Sequence, residues 1–195
     1  MKVKVCGITR VEDALLAERL GADFIGFIFA NASKRCVSPE VARQIIEALT
    51  TAIPLGVFVE QTDDEVIKIA DVAGLKAVQI YRPVVRKLDA LTMIEAIRVK
   101  DEDDLQPMGQ SQADYYLLDA YHESAYGGTG HVFDWTMLPE DVSNVFIAGG
   151  LGIDNVRRAA LLRPFAIDVC SGVESAPGMK DEKKLRMFFE EISQC

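Results

Sequence analysis

The chain has 195 residues, 49% hydrophobic and 26% charged, the composition of an ordinary globular protein at a length that favours one domain over 1–195. A formal net charge of -9 and the lack of any basic run exclude nucleic acid and anionic membrane as expected partners, which need a positive footprint. An anionic metabolite needs only a few local cations and backbone N–H groups, so a small phosphorylated ligand stays open.

Four scattered cysteines (Cys6, Cys36, Cys170 and Cys195), no CxxC pair and only His122 and His131 to assist them argue against a zinc site. The start MKVKVCGITR turns polar too soon for a signal peptide, and no apolar run approaches the ~20 residues of a membrane helix. The expectation is a cytoplasmic protein with reduced thiols.

In chain order, a first strand is read over 3–8 (VKVCGI). Behind it, VEDALLAERLGA carries an apolar stripe of Val11, Leu15, Leu16 and Leu20 that Gly21 closes as a helix C-cap. A second strand covers 24–29, and Ser38-Pro39-Glu40 opens a helix with a cap and an N1 proline. A third covers 53–59, after which Asp63-Asp64-Glu65 sets acids on the positive first turn of another helix. Strands follow over 77–81, 92–99 and 115–119, but 101–113 has little apolar periodicity and 131–141 has room only for a short helix. Strands over 145–149 and 166–170 complete the series, with helices over 153–162, opened by Asp154, and over 181–192.

Alternating strands and helices with near-continuous apolar strands specify a parallel sheet covered on its outer side. Eight repeats predict an α/β fold closed as a compact (β/α)8 TIM barrel, with short or degenerate helices in the fifth and sixth units. An open doubly wound sheet is the competitor, but CGITR after the first strand is not its glycine fingerprint.

The pocket of such a barrel lies at the C-terminal ends of its strands. Cys6, ending the first strand before Gly7, is there a candidate base, or a small buried hydrophobe. Asp119 ends the sixth strand after four apolar or aromatic residues, where desolvation raises a carboxyl toward general-acid use; a turn cap is the alternative. Glycine turns at Gly127-Gly128-Thr129-Gly130, Gly149-Gly150-Leu151-Gly152 and Ser171-Gly172 follow late strands, and the last two are where barrels bind phosphate. Ser33-Lys34-Arg35 offers a bidentate carboxylate clamp in Arg35, or a solvated basic loop. Asp168, inside the last strand, is either hydrogen-bonded structure or a substrate contact, and His131 reads as a surface residue.

These residues resemble the phosphoribosylanthranilate isomerase family along almost the whole chain: KVCGIT (4–9), EDA (12–14), GADFIGFIF (21–29), SKRCVSPEVAR (33–43), GVFV (56–59), LLD (117–119), YGGTGHVFDW (126–135), AGGL (148–151) and RPFAIDVCSGVESAPGMKD (163–181). The resemblance implies an Amadori rearrangement of N-(5-phosphoribosyl)anthranilate in tryptophan biosynthesis, without metal or organic cofactor. It implies Cys6 as base and Asp119 as acid, Arg35 on the anthranilate carboxylate, and Gly149, Gly150, Ser171 and Gly172 on the phosphate. A thiolate and a protonated carboxyl at neutral pH require opposite pKa shifts. The chain departs from the family's VQLHG with Val78-Gln79-Ile80-Tyr81-Arg82, and has Glu95 where a lysine is common. The rival readings are a barrel isomerase for another aminated phosphosugar and a non-catalytic phosphate-binding barrel. Association with other enzymes of the same pathway is also left open.

Overall fold

The computed structural model describes residues 1–121 and 132–195. Eight parallel strands form a closed barrel in sequence order: β1 (Lys2–Val5), β2 (Phe24–Ile28), β3 (Ile53–Phe58), β4 (Ala77–Ile80), β5 (Thr92–Val99), β6 (Tyr115–Ala120), β7 (Val145–Ile147) and β8 (Ala166–Val169). Closure comes from β1 pairing with β8, Lys2 opposite Ala166 through Val5 opposite Val169. Alternation then sorts the side chains. Val3 and Val5 pack outward under the helices, whereas Lys4 and Cys6 turn into the barrel.

Two helices carry the predicted caps. In α1 (Val11–Leu20), Gly21 adopts φ 109° and closes the last turn through its N–H; in α2 (Pro39–Ile46), the Ser38 side chain accepts from Val41 N. The acids of α3 (Asp63–Ala73) stand behind Thr62, which makes a capping box with Glu65. The helix α4 (Val156–Leu161) corrects the expected cap: Asn155 precedes it, not Asp154, and no side chain caps it. Asn155 instead accepts from Gly152 N at 2.9 Å and donates to Gly150 O at 2.9 Å, tying down the glycine turn. The last helix, α5 (Glu182–Ser193), is capped by Asp181 and preceded by a hairpin of β9 (Glu174–Ala176) and β10 (Met179–Lys180), which the sequence reading passed over.

The fifth and sixth units hold only 3-10 turns among the described residues, Glu102–Leu105 and Trp135–Met137. The fourth unit is also without a helix, a simplification the sequence reading did not extend to it. Pro83 interrupts the short 81–91 connection, and that connection covers the barrel with buried Val84 and Leu88. Val84 N donates to Glu95 Oε2 at 2.8 Å, so the Glu95 departure is a loop anchor on the outer face of β5.

Aromatic rings fill the N-terminal end of the barrel. Phe146 lies 5.4 Å from Phe24 and 5.3 Å from Phe165, and Phe165 lies 4.3 Å from Tyr115, centroid to centroid. The polar groups are thereby confined to the middle and the opposite mouth. No helix among the described residues is long and apolar enough to cross a membrane.

Candidate active site

The ladder of β1 ends at Val5, so Cys6 stands just past it, tied by its N–H to Val169 O at 2.9 Å. This places Cys6 beside Cys170, the residue after β8. Gly26 on β2 makes the room: a Cβ there would fall 2.9 Å from Cys6 Sγ and 3.1 Å from Lys4 Cε. Both side chains thus press against one spot on the neighbouring strand.

Lys4 is fully buried, and its Nζ donates to Gln79 Oε1 at 2.6 Å and Asp168 Oδ2 at 2.7 Å. Burial pulls this ammonium down, but Asp168 and Cys6 outweigh it and leave its pKa raised. Asp168 is raised by burial despite Lys4, and its Oδ1 has no partner among the described residues. One Asp168 oxygen is thus built into the barrel as hydrogen-bonded structure, and the other is buried without a partner among the described residues.

The Cys6 thiol does not follow the expected direction. Contact with Cys170 and burial push Cys6 well up, only partly opposed by Lys4, whereas Cys170 is pulled down to about 7 by Cys6, with Lys180 and Arg35 assisting against burial. The two adjacent thiols titrate as a coupled pair, and the cations around Cys170 favour the thiolate on that side. Lys180 Nζ, 3.9 Å from Cys170 Sγ, is the nearest fixed cation.

Asp119, inward-facing on β6, is raised to about 6 by burial, against the lowering effect of Tyr81. Here the expected shift is present. Tyr81 donates to its Oδ2 at 2.9 Å, so the departure at position 81 touches the candidate acid directly.

Arg35, the candidate carboxylate clamp, holds a carboxylate of the protein. Its Nε and Nη2 already grip Glu174 at 2.7–3.1 Å, because a guanidinium brought over Gly7 into a half-buried position is stabilised by a carboxylate of its own. Glu174 also accepts from Lys180 Nζ at 2.9 Å, and its carboxyl is lowered as burial is outweighed by these two cations. Arg35 therefore has only its Nη1 edge to offer a ligand carboxylate without releasing Glu174.

The two late glycine turns meet backbone to backbone. A Cβ on Gly172 would fall 2.1 Å from Leu151 O and 2.9 Å from Gly152 Cα. Among the described residues, the N–H groups of Gly149, Gly150, Ser171 and Gly172 enter no backbone hydrogen bond outside regular elements. His122, His131 and the Gly127–Gly130 turn lie outside the described residues.

Sequence reasoning missed Lys4, Gln79, Cys170, Glu174 and Lys180 as members of this constellation. Lys4 had a signal in its two-residue offset from Cys6 on an otherwise apolar strand. The others are joined only by barrel closure.

The family model for N-(5'-phosphoribosyl)anthranilate (PRA) isomerase matches residues 3–191. The N-(5'-phosphoribosyl)anthranilate isomerase of Pelobacter propionicus is 43% identical over 195 aligned residues, 96% of this chain and 93% of that protein. The crystal structure of phosphoribosyl anthranilate isomerase from Thermotoga maritima superposes with a TM-score of 0.87 at 33% identity, covering 100% of both chains. A phosphoribosyl anthranilate isomerase solved in complex with reduced 1-(o-carboxyphenylamino)-1-deoxyribulose 5-phosphate superposes with a TM-score of 0.82 at 32% identity, again over 100% of both chains.

Proposed function

The chain belongs to the N-(5'-phosphoribosyl)anthranilate isomerase family, enzymes of tryptophan biosynthesis, and we propose that Asp119 is the general acid and Cys6 the general base of its Amadori rearrangement. The observation that carries this is the placement at one barrel mouth of a desolvated carboxyl, raised to about 6, on β6 and of the adjacent Cys6 and Cys170 thiols between β1 and β8. The substrate is N-(5-phospho-β-D-ribosyl)anthranilate and the product 1-(2-carboxyphenylamino)-1-deoxy-D-ribulose 5-phosphate. No observation favours another aminated phosphosugar or a non-catalytic barrel.

Asp119 gives its proton to the ring oxygen as the bond from C1 to that oxygen breaks and the nitrogen lone pair forms a C1=N bond. The imine acidifies the proton on C2. Cys6 removes it as the thiolate, and the C2–H electrons form the enaminol that tautomerises to the ketose. The N–H groups of Gly149, Gly150, Ser171 and Gly172 hold the phosphate, Arg35 meets the anthranilate carboxylate through its Nη1 edge, and the open oxygen of Asp168 accepts from a sugar hydroxyl.

The test follows substrate fluorescence with freshly made phosphoribosylanthranilate. Cys6→Ala and Asp119→Asn should each lower turnover by ~10²–10⁴-fold with the fold intact. Loss of Cys6 should remove the acidic limb of the pH profile, and loss of Asp119 the basic limb. Near-normal turnover in either folded variant contradicts the assignment.

A further inference from the structure

We propose that Tyr81 is a positioning residue for the general acid: its hydroxyl fixes Asp119 Oδ2 and leaves Oδ1 as the oxygen that delivers the proton to the sugar ring. The proposal deepens the reading of Asp119 as the acid and rests on it.

A carboxyl group has two oxygens, and a proton on one leaves the other as acceptor. The Tyr81 hydroxyl donates to Oδ2 at 2.9 Å, which occupies that oxygen on the β4 side. Oδ1 faces the opposite way, toward the glycine turn after β7, lying 2.9 Å from where a Cβ on Gly149 would sit. A Cβ there would also meet Ala120 N at 2.5 Å, so only glycine lets the β7 turn lie this close to Oδ1, and the same turn carries N–H groups assigned to the phosphate.

A hydrogen bond to a carboxylate is stronger than one to a carboxylic acid, so the Tyr81 contact tightens as the proton leaves Oδ1. It therefore stabilises the state after transfer more than the state before, which is how an interaction raises turnover rather than binding. The other groups acting on Asp119 are Asp168 from β8, Lys4 from β1 and the adjacent Ala120 N–H, with Arg98 opposite it on β5. Residues 148–149 after β7 bring no charge. The Tyr81 bond to Oδ2 is what leaves Oδ1 as the oxygen turned toward the β7 turn.

The experiment compares Tyr81→Phe and Tyr81→His with the parent enzyme, reading kcat, KM and the pH profile, with Asp119→Asn alongside. Phenylalanine removes the donor from the ionised acid, so the pKa of Asp119 rises and the basic limb moves up by about 0.5–1 pH unit. Turnover should fall about tenfold, with KM within about twofold of the parent, and histidine, which keeps an N–H donor, should restore most of it. A Tyr81→Phe enzyme with parental kcat and an unmoved limb overturns the proposal, as does one that alters KM alone. Slow Asp119→Asn beside unaltered Tyr81→Phe overturns this proposal only, whereas parental turnover in Asp119→Asn overturns the acid assignment itself. Where Tyr81→Phe does not fold, 3-fluorotyrosine at position 81 serves: the stronger donor should move the limb down, and an unmoved limb is the contrary result.

Discussion

Lys4 lies two residues before Cys6 on the same face of β1, and its single ammonium serves Gln79, Asp168 and the thiol. Taking it away has two separable consequences. Asp168 would keep a buried charge without its counter-ion, which costs about 3–5 kcal/mol when one partner of a buried pair is removed. Cys6 would lose the cation that opposes its upward shift, so its thiol would deprotonate at still higher pH. Because the thiolate is the proposed active form, Lys4→Met should move the acidic limb of kcat/KM to higher pH as well as lowering stability. Adding Asp168→Asn removes the stranded charge, so the double variant should regain part of the stability while the limb stays displaced by less, since the Asp168 charge itself pushes Cys6 up. Chemical unfolding and the pH profile measure the two effects separately; a limb unmoved in both variants contradicts the role given to Lys4. Arg35 shows why residue-scale reading stopped short. Its loop and its chemistry were visible in Ser33-Lys34-Arg35, but Glu174, its bidentate partner, is 139 residues away, and only the fold brings them together.

At the scale of elements, α1 is joined to the start of β3 by one side chain. Glu18 accepts from the backbone N–H groups of Thr50, Thr51 and Ala52 at 2.7–3.2 Å, which stitches the turn after α2 onto α1. Burial raises this carboxyl, but the three N–H groups overcome it and bring it down to about 2 from an ordinary 4.5. A folded pKa below the unfolded one gives stability that is full above about 4.5 and is lost as pH falls toward 2. Glu18→Ala should therefore cost about 2 kcal/mol at neutral pH, roughly 4–8 °C in Tm for a chain of this size. The gap between the two proteins should close as the pH is lowered from 4.5 to 2, and a gap independent of pH would refute the account. Elements with local signals were legible in the sequence: Gly21, Ser38 and the Asp63–Glu65 acids mark helix ends whose caps form within a few residues. The β9–β10 hairpin was not, because two and three residues carry too little periodicity. Nor was the bare fourth unit, where Glu95 and the buried Val84 and Leu88 replace a helix by contacts made across the chain.

Along the barrel axis the molecule changes from apolar to ionic, and closure puts the two kinds of residue in separate layers. Phe24, Tyr115, Phe146 and Phe165 fill the N-terminal end, Lys4, Gln79 and Asp168 cross the middle, and Cys6, Tyr81, Asp119 and Cys170 face the mouth. The number of strands and the candidate acid and base could be read from strand ends, since each depends on its own segment. The middle layer could not, because it joins β1, β4 and β8 through a closed sheet that no local pattern encodes. This separation predicts that stability and catalysis come apart along the axis. Phe146 is fully buried against Phe24, Tyr115 and Phe165, so Phe146→Ala leaves a cavity in the aromatic layer and should cost about 3–5 kcal/mol. The polar middle layer lies between that cavity and the mouth, and its ion pair holds Lys4 and Asp168 in place whatever the packing beneath. The folded fraction should keep kcat/KM within about twofold of the parent and both pH limbs in position, since sites without shared partners act independently. Measured well below the variant's melting temperature, a tenfold loss of turnover or a shifted limb would show that the aromatic layer sets the geometry of the mouth, and that the two ends of the barrel are one mechanical unit.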